Sequence, residues 1–192
     1  MSCRTTPERE RRAEQIRRAA IDVFASQGFR GTSMADLAKA AGVSRPTVYQ
    51  YFDNRADLFR SAFQAVSEDA TDAALAALMA DGSVTERLDG YLQRLKADGY
   101  ESLAATPFGT ELIEARHEFA ADVANAAYER ARSGLRAFIN SKSSVDAETR
   151  AIAIDLLILS PAGLGGDLPS PATYRRRLTA LATAAAHLLE TR

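Results

Sequence analysis

Apolar residues recur at helical spacing along most of this chain, and the phase of that spacing marks each helix. Ile16, Ala19, Ala20, Val23 and Phe24 make one buried face, which predicts a first helix from about residue 8 to Gln27, ended by Gly28. Met34, Leu37, Ala38 and Ala41 stand at i, i+3, i+4 and i+7 and predict a short second helix behind the cap types Thr32 and Ser33. Gly42 is placed to end it. Ser44 caps a third helix, Pro46 suits its first turn, and Val48 and Phe52 face back inward. Two short helices joined by so tight a turn read as a helix-turn-helix.

Helical periodicity continues beyond Asn54, which caps a fourth helix over about 55–80. Asp81-Gly82-Ser83 breaks it. Further helices are predicted over about 84–104, 107–116, 118–140, from Asp146 to a loop at 161–171, and over 171–190. Residues 141–144 read as a loop. No stretch alternates at strand period, and no repeat is visible. The expected architecture is all-α, about nine helices in total. A three-helix N-terminal domain (1–55) carries the helix-turn-helix, and a larger helical domain (56–192) follows.

Two helices of the second domain hold more apolar surface than one core face requires. Residues 151–159 are apolar nearly all round, and the last helix carries apolar residues along its length. In a chain this small that surplus predicts a partner subunit. Leu156, Leu159, Leu178, Leu181, Ala185 and Leu188 are the expected interface residues. Asp155, alone in the apolar run, is expected to be paired across that interface. The Arg175–Arg177 run is expected to be a solvated face.

Charge sharpens the picture of the first domain. The net charge of −1 is unevenly distributed. Residues 1–55 hold ten Lys/Arg against six acids, whereas the remainder holds fourteen against nineteen. A basic small domain on an acidic larger one suits contact with phosphate at one end. On the third helix, Arg45 is the best base-reading candidate, because guanidinium pairs bidentately with guanine; Gln50 comes next, with adenine as its usual partner. Thr47 suits a base or a phosphate. Ser33, Ser44, Tyr49, Tyr51 and Arg55 suit phosphate contacts, which set register without reading sequence, and Pro46 is expected among the DNA-binding residues with them. Arg4 and Arg9 could form a flexible arm on DNA, or belong to a solvated helix face laced with Glu8, Glu10 and Glu14.

Other chemistries find little support. Cys3 is the only cysteine, so neither a disulfide framework nor a cysteine-based zinc site is expected. There is no HExxH, GxSxG or P-loop, and the histidines are only His117 and His187. Neither enzymatic activity nor a metal or cofactor is expected. No apolar run approaches the ~20 residues of a membrane span, and the charged N-terminus has no signal-peptide core. A cytoplasmic protein without membrane contact is expected.

The run FASQGFRGTSMADLAKAAGVSRPTVYQYFDNRADLF, residues 24–59, resembles the N-terminal DNA-binding domain of the TetR family of bacterial transcriptional regulators. The resemblance extends over about residues 12–62 and rests on Phe24, Gly28, Thr32, Ala38, the AGVS turn, Tyr49, Phe52 and the Leu58–Phe59 pair. It implies a repressor that binds a palindromic operator in double-stranded DNA as a homodimer, its last two helices pairing with their mates in a four-helix bundle. It also implies phosphate contacts from Tyr49 and the basic residue at 55. Pro46 and Tyr51 depart from the family's usual small residue and histidine, so the operator sequence stays open. An unidentified small-molecule effector is implied, held in the second domain. Tyr91, Leu95, Tyr100, Leu103, Phe108, Leu112, His117 and Phe119 are the expected lining around the Pro107 break. Two alternatives remain open: a helical small-molecule carrier without specific DNA binding, and a regulator gated by no small ligand.

Overall fold

A computed structural model describes residues 7–141 and 145–190. Cys3, Arg4 and positions 142–144 of the expected loop lie outside the described residues. Every regular element among the described residues is a helix: α1 (Pro7–Gly31), α2 (Met34–Ala40), α3 (Arg45–Tyr49), α4 (Arg55–Met79), α5 (Val84–Leu92), α6 (Asp98–Ala104), α7 (Gly109–Phe119), α8 (Ala121–Asn140), α9 (Ala147–Leu164) and α10 (Pro171–Glu190). A wider π turn, Gln93–Ala97, joins α5 to α6, so the stretch expected as one helix over 84–104 is continuous but locally unwound. Helix α9 runs through Pro161 to Leu164, although a loop was expected from 161. Pro161 lies in the last turn and has no N–H to give the Leu157 carbonyl, yet the helix continues past it to Leu164. It is buried, and its carbonyl accepts a hydrogen bond from the Tyr174 hydroxyl at 3.1 Å.

The helices form two compact units, and the division differs from the expected break at 55/56. The first comprises the described part of Met1–Ser67 together with Ala105–Ala124; the second comprises Glu68–Ala104 with the described part of Asn125–Arg192. The first unit is larger than expected because α7 joins it. An aromatic cluster explains this. Phe24, Phe29 and Phe59 pack within 6.0 Å of one another, and Phe119 from the end of α7 reaches Phe29 at 4.9 Å. Ala115 is buried in the same core beside Ile16, Leu37, Val48 and Leu58. Such rings add packing energy beyond their buried area.

Gly28 makes this arrangement possible. Its φ of 73° and ψ of 172° lie in a region open essentially to glycine alone, and they bend the α1 run just before Phe29 enters the core. A Cβ there would also stand 2.7 Å from the Phe108 ring and 2.9 Å from the Glu111 carboxylate. Beyond the bend, the Arg30 amide donates to Glu111 and its guanidinium pairs with Glu114 at 3.0 Å. A bidentate Arg60–Asp122 pair also belongs to this unit and holds the Asp122 carboxyl at about 2.

The second unit has its own core, built from Leu78, Leu88, Leu92, Leu135, Ile139, Leu157 and Leu178 among others. The π turn faces a polar staple. Gln93 Nε2 donates to Asp89 Oδ1 at 2.9 Å, to the Arg175 carbonyl and to Thr179 Oγ1, both at 3.2 Å. Arg175 reaches Asp98 at 2.9 Å and also pairs with Glu101, while Arg177 pairs with Asp167. Only Arg176 of the 175–177 run is exposed, so the expected solvated face is mostly an ion-paired one.

Replacing Gly28 by alanine is expected to destabilise the chain by about 1–3 kcal/mol, from backbone strain before any clash with Phe108 is counted. Urea unfolding of the full chain followed by far-UV circular dichroism checks this; an unchanged midpoint would show that the bend tolerates a side chain.

Candidate nucleic-acid interface

The third helix is only five residues long, so its surroundings must hold it. Ser44 supplies the cap: its Oγ accepts from the Thr47 amide at 3.2 Å. The two hydroxyls lie 2.7 Å apart, so Thr47 is partly committed to the cap rather than free for a base. Pro46 sits in the first turn, where its missing N–H leaves no bond unmade. Val48 is fully buried and pins the helix to the core. Before it, the chain leaves α2 through Gly42 at φ 65°, a left-handed residue that reverses the path. The Val43 amide returns to the Ala38 carbonyl at 3.0 Å, and Gln15 Nε2 donates to the Ala41 carbonyl at 2.8 Å.

What remains outward is a compact patch. Arg45, Pro46, Tyr49 and Gln50 are all exposed, Tyr49 by 43%. They line an open concavity of about 470 Å³. Arg45 leans along it, its guanidinium 5.6 Å from the Tyr49 ring centre and 3.4 Å from the Tyr49 hydroxyl. A guanidinium, an amide and two rings thus share one helix face.

Several residues expected at the interface have other duties. Ser33 caps α2 in a reciprocal box with Asp36. Its hydroxyl proton goes to Asp36 Oδ2 at 2.6 Å, so the hydroxyl is already paired with a carboxylate. The arrangement lowers the Asp36 pKa, because Ser33 donates to the charged form. Ser33 is therefore a structural cap and a poor phosphate donor. Arg55 is half-buried. Its Nη1 donates to the Thr32 carbonyl at 2.7 Å and to the Arg30 carbonyl at 3.1 Å, and its guanidinium stacks 4.3 Å above Phe29. Its main role is to close the turn between α1 and α2. Tyr51 is half-buried against the core of the first unit.

Arg9, read either as part of a flexible arm or of a solvated helix face, is helical. It lies over the Tyr51 ring at 5.6 Å and donates to the Gln50 carbonyl at 3.5 Å. A fixed cation beside the end of α3 was missed because nothing in the sequence spacing links position 9 to position 51. Arg12 and Arg11 are exposed on the same helix.

The expected effector lining does not assemble within one unit. Phe108, Leu112, His117 and Phe119 belong to the first unit, where Leu112 and Phe119 pack on the aromatic core. His117 is exposed, its Nε2 2.9 Å from Arg116. Tyr91, Leu95, Tyr100 and Leu103 belong to the second. There Tyr91 is buried, and burial pushes its hydroxyl pKa up. Tyr100 donates to the Pro169 carbonyl at 2.6 Å and stacks 4.5 Å from Tyr174.

The expected dimer residues divide as well. Leu178, Leu181 and Ala185 are buried in the core of their own unit and are not available to a partner. Leu159 is 67% exposed and Leu156 and Leu188 are half-buried. Ile152, 52% exposed, extends the same face of α9, and Asp155 is exposed beside it. No cluster of metal-ligating side chains occurs among the described residues, and no described helix is long and apolar enough to cross a membrane.

Residues 16–62 match the family model described as bacterial regulatory proteins, tetR family. The chain is 36% identical over 74 residues to the uncharacterised HTH-type transcriptional regulator YezE of Bacillus subtilis, 38% of either length. It therefore aligns with little more than a third of that relative. It is 26% identical over 159 residues to the HTH-type transcriptional activator FasR of Mycolicibacterium smegmatis, covering 79% of this chain and 70% of that protein. A tetR-family transcriptional regulator from Streptomyces coelicolor superimposes with a TM-score of 0.65 at 21% identity, covering 93% of this chain and 80% of the other. That likeness shows a shared fold.

Arg55→Ala is expected to cost about 1–3 kcal/mol of stability, since it removes charged hydrogen bonds to two carbonyls. Arg45→Ala, on the open face, is expected to stay within about 0.5 kcal/mol. Parallel urea titrations compare them, and equal midpoints would return Arg55 to the list of free cations.

Proposed function

Because the chain belongs to the TetR family of bacterial regulatory proteins, a family of DNA-binding transcriptional regulators, we propose that it is a repressor that binds a palindromic operator as a homodimer. The observation that carries this reading is the exposed Arg45–Pro46–Tyr49–Gln50 face on a helix fixed from behind by Val48 and Ser44. A short helix held this way fits the major groove, and its outward side chains are types that meet base edges. Arg45 and Gln50 read bases. Tyr49 and Arg9 contact phosphate and set the register, while the Ser44 hydroxyl is held in the helix cap.

The homodimer is supported by the outer face of α9, where Ile152 and Leu159 are exposed with half-buried Leu156 between them. On α10, half-buried Leu188 is the leucine left for a partner. Two-fold symmetry in the protein matches two-fold symmetry in the operator. Release by a small-molecule effector completes the proposal and rests on family membership. The effector must bind the DNA-incompetent state better than the competent one. Tyr91, Leu95, Tyr100 and Leu103, gathered in one unit, are the residues from which its site would be built. An activator role is the second reading, favoured by the alignment of most of this chain with a protein named as an activator.

Selection of random duplexes by the purified chain at moderate and raised salt is expected to enrich an inverted repeat. Sequence-blind retention that vanishes with salt would reduce the interaction to phosphate attraction and favour a carrier of small molecules. On an enriched duplex, Arg45→Ala is expected to cost about 1–3 kcal/mol of specific binding and to relax preference at one position in each half-site. Leu159→Asp is expected to give monomers in light scattering that bind the repeat poorly; a stable dimer would remove the outer face of α9 from the interface.

A further inference from the structure

The core of the second unit holds polar groups that its own side chains do not satisfy. Tyr91 is 2% exposed and Thr71 1%, yet neither hydroxyl has a hydrogen-bond partner among the described residues. Arg132 Nε is buried and unpartnered as well. Buried polar groups are costly to leave unpaired, so three in one unit call for a reason. They are also gathered at one level. Thr71 shares the inward face of α4 with Ala74 and Leu78. Asp72 pairs with Arg130, and Leu75 fills the space that a Cβ on Gly134 would need. These two contacts run α4 and α8 side by side in the same direction, which brings Thr71 to the turn of α8 that carries Tyr128, with Arg132 one turn further on. Tyr128 is close enough to Tyr91 to add to the effect of burial in raising the Tyr91 hydroxyl pKa. The Lys96 ammonium stands 5.2 Å from the Tyr128 ring centre.

The π turn accounts for Lys96. Its backbone bonds run between residues five apart, as from the Asp98 amide to the Gln93 carbonyl, and so turn residues five apart onto one face. Tyr91 and Lys96 are five apart, and both meet Tyr128. An uninterrupted α-helix would set Leu95 there and carry the charge away. We propose that Thr71, Tyr91, Lys96, Tyr128 and Arg132 form the polar end of the effector site, and that its ligand is an apolar small molecule bearing one carboxylate. The inference rests on the reading that the second unit holds an effector, and it supplies the chemical class. Every group in the set can donate a hydrogen bond, and the ammonium and guanidinium can do nothing else; a carboxylate only accepts. An ammonium has three donors, so Lys96 serves the ligand whatever else it meets. The neighbouring acids do not oppose an anion: Asp72 is matched by Arg130, and Glu129 by Arg132 at 3.4 Å. Ala74, Leu78, Leu92 and Ala131 in the same core suit an apolar body.

Calorimetric titration of the full-length chain with 4-phenylbutanoate and with 4-phenylbutan-1-ol tests this, since the two share an apolar body and differ in the headgroup. The acid is expected to bind at least about ten-fold more tightly. Lys96→Met removes the ammonium and keeps most of the stem, and is expected to bring acid and alcohol within about two-fold of each other. Tyr91→Phe is expected to weaken the acid about five-fold while the urea midpoint holds or rises, because the hydroxyl has no partner in the chain to lose. Equal binding of acid and alcohol, or binding of neither, overturns the subsite. So does a Tyr91→Phe chain with a lowered midpoint and unchanged affinity for the acid, which would make the hydroxyl a structural one. Adding the acid to the complex with an enriched duplex separates this inference from the reading on which it rests. Acid binding that depends on Lys96 and Tyr91 supports the subsite whether or not the duplex is released, and a duplex that stays bound then counts against effector release alone.

Discussion

The turn from Gly28 to Thr32 is the constraint on which the first unit depends. Gly28 bends the chain through a backbone conformation closed to other residues. Phe29 then drops into the aromatic core, and Thr32 Oγ1 donates back to the Gly28 carbonyl at 2.6 Å. The turn leaves carbonyls that α1 and α2 cannot satisfy, and Arg55 takes those of Arg30 and Thr32 while lying flat on Phe29. Glu111 accepts the Arg30 amide from the other side. Four elements therefore meet at five residues. The direction in which α2 and α3 leave this turn fixes which side chains of α3 point outward.

That geometry separates polar groups that are used inside the protein from those left over. Ser33, Thr47 and Arg55 look like DNA contacts by residue type, yet each has most of its hydrogen-bonding capacity committed to the fold. Arg45 and Gln50 have no such commitment in their base-reading groups beyond the weak approach of Arg45 to Tyr49. Buried or half-buried polar groups need partners and find them locally. What stays unspent on the outside is the part available to a ligand, and here it is a small face with one cation, an amide and two rings.

The fold was largely legible from the sequence because helix boundaries are written in caps and periodicity. Ser33, Ser44, Ser83 and Asp146 all cap as their types suggest. What periodicity cannot tell is which core a helix joins. Helix α7 has apolar residues at helical spacing, but its partner is fixed by Phe119 meeting Phe29, a contact ninety residues away in sequence. The same limit misassigned Leu178, Leu181 and Ala185, whose spacing is equally that of a buried face and of an interface; the exposed Ile152 and Leu159 carry the surplus instead. Arg9 beside Tyr51 and the ion pairs of Arg175 are long-range facts of the same kind. Pro161 was read as a break, yet α9 runs past it to Leu164, with the proline buried and its carbonyl bonded to the Tyr174 hydroxyl.

Under the proposed function, the outward face of α3, with Arg9 beside it, is where this chain meets DNA. Hydrogen–deuterium exchange of the full chain, with and without a duplex enriched by selection, locates the contact directly. Slowed exchange concentrated in the segment from Ser44 to Phe52 and in the first turns of α1 is the predicted result. Tight binding with exchange unchanged there, and slowed only in the second unit, would contradict the assignment of α3 as the reading helix.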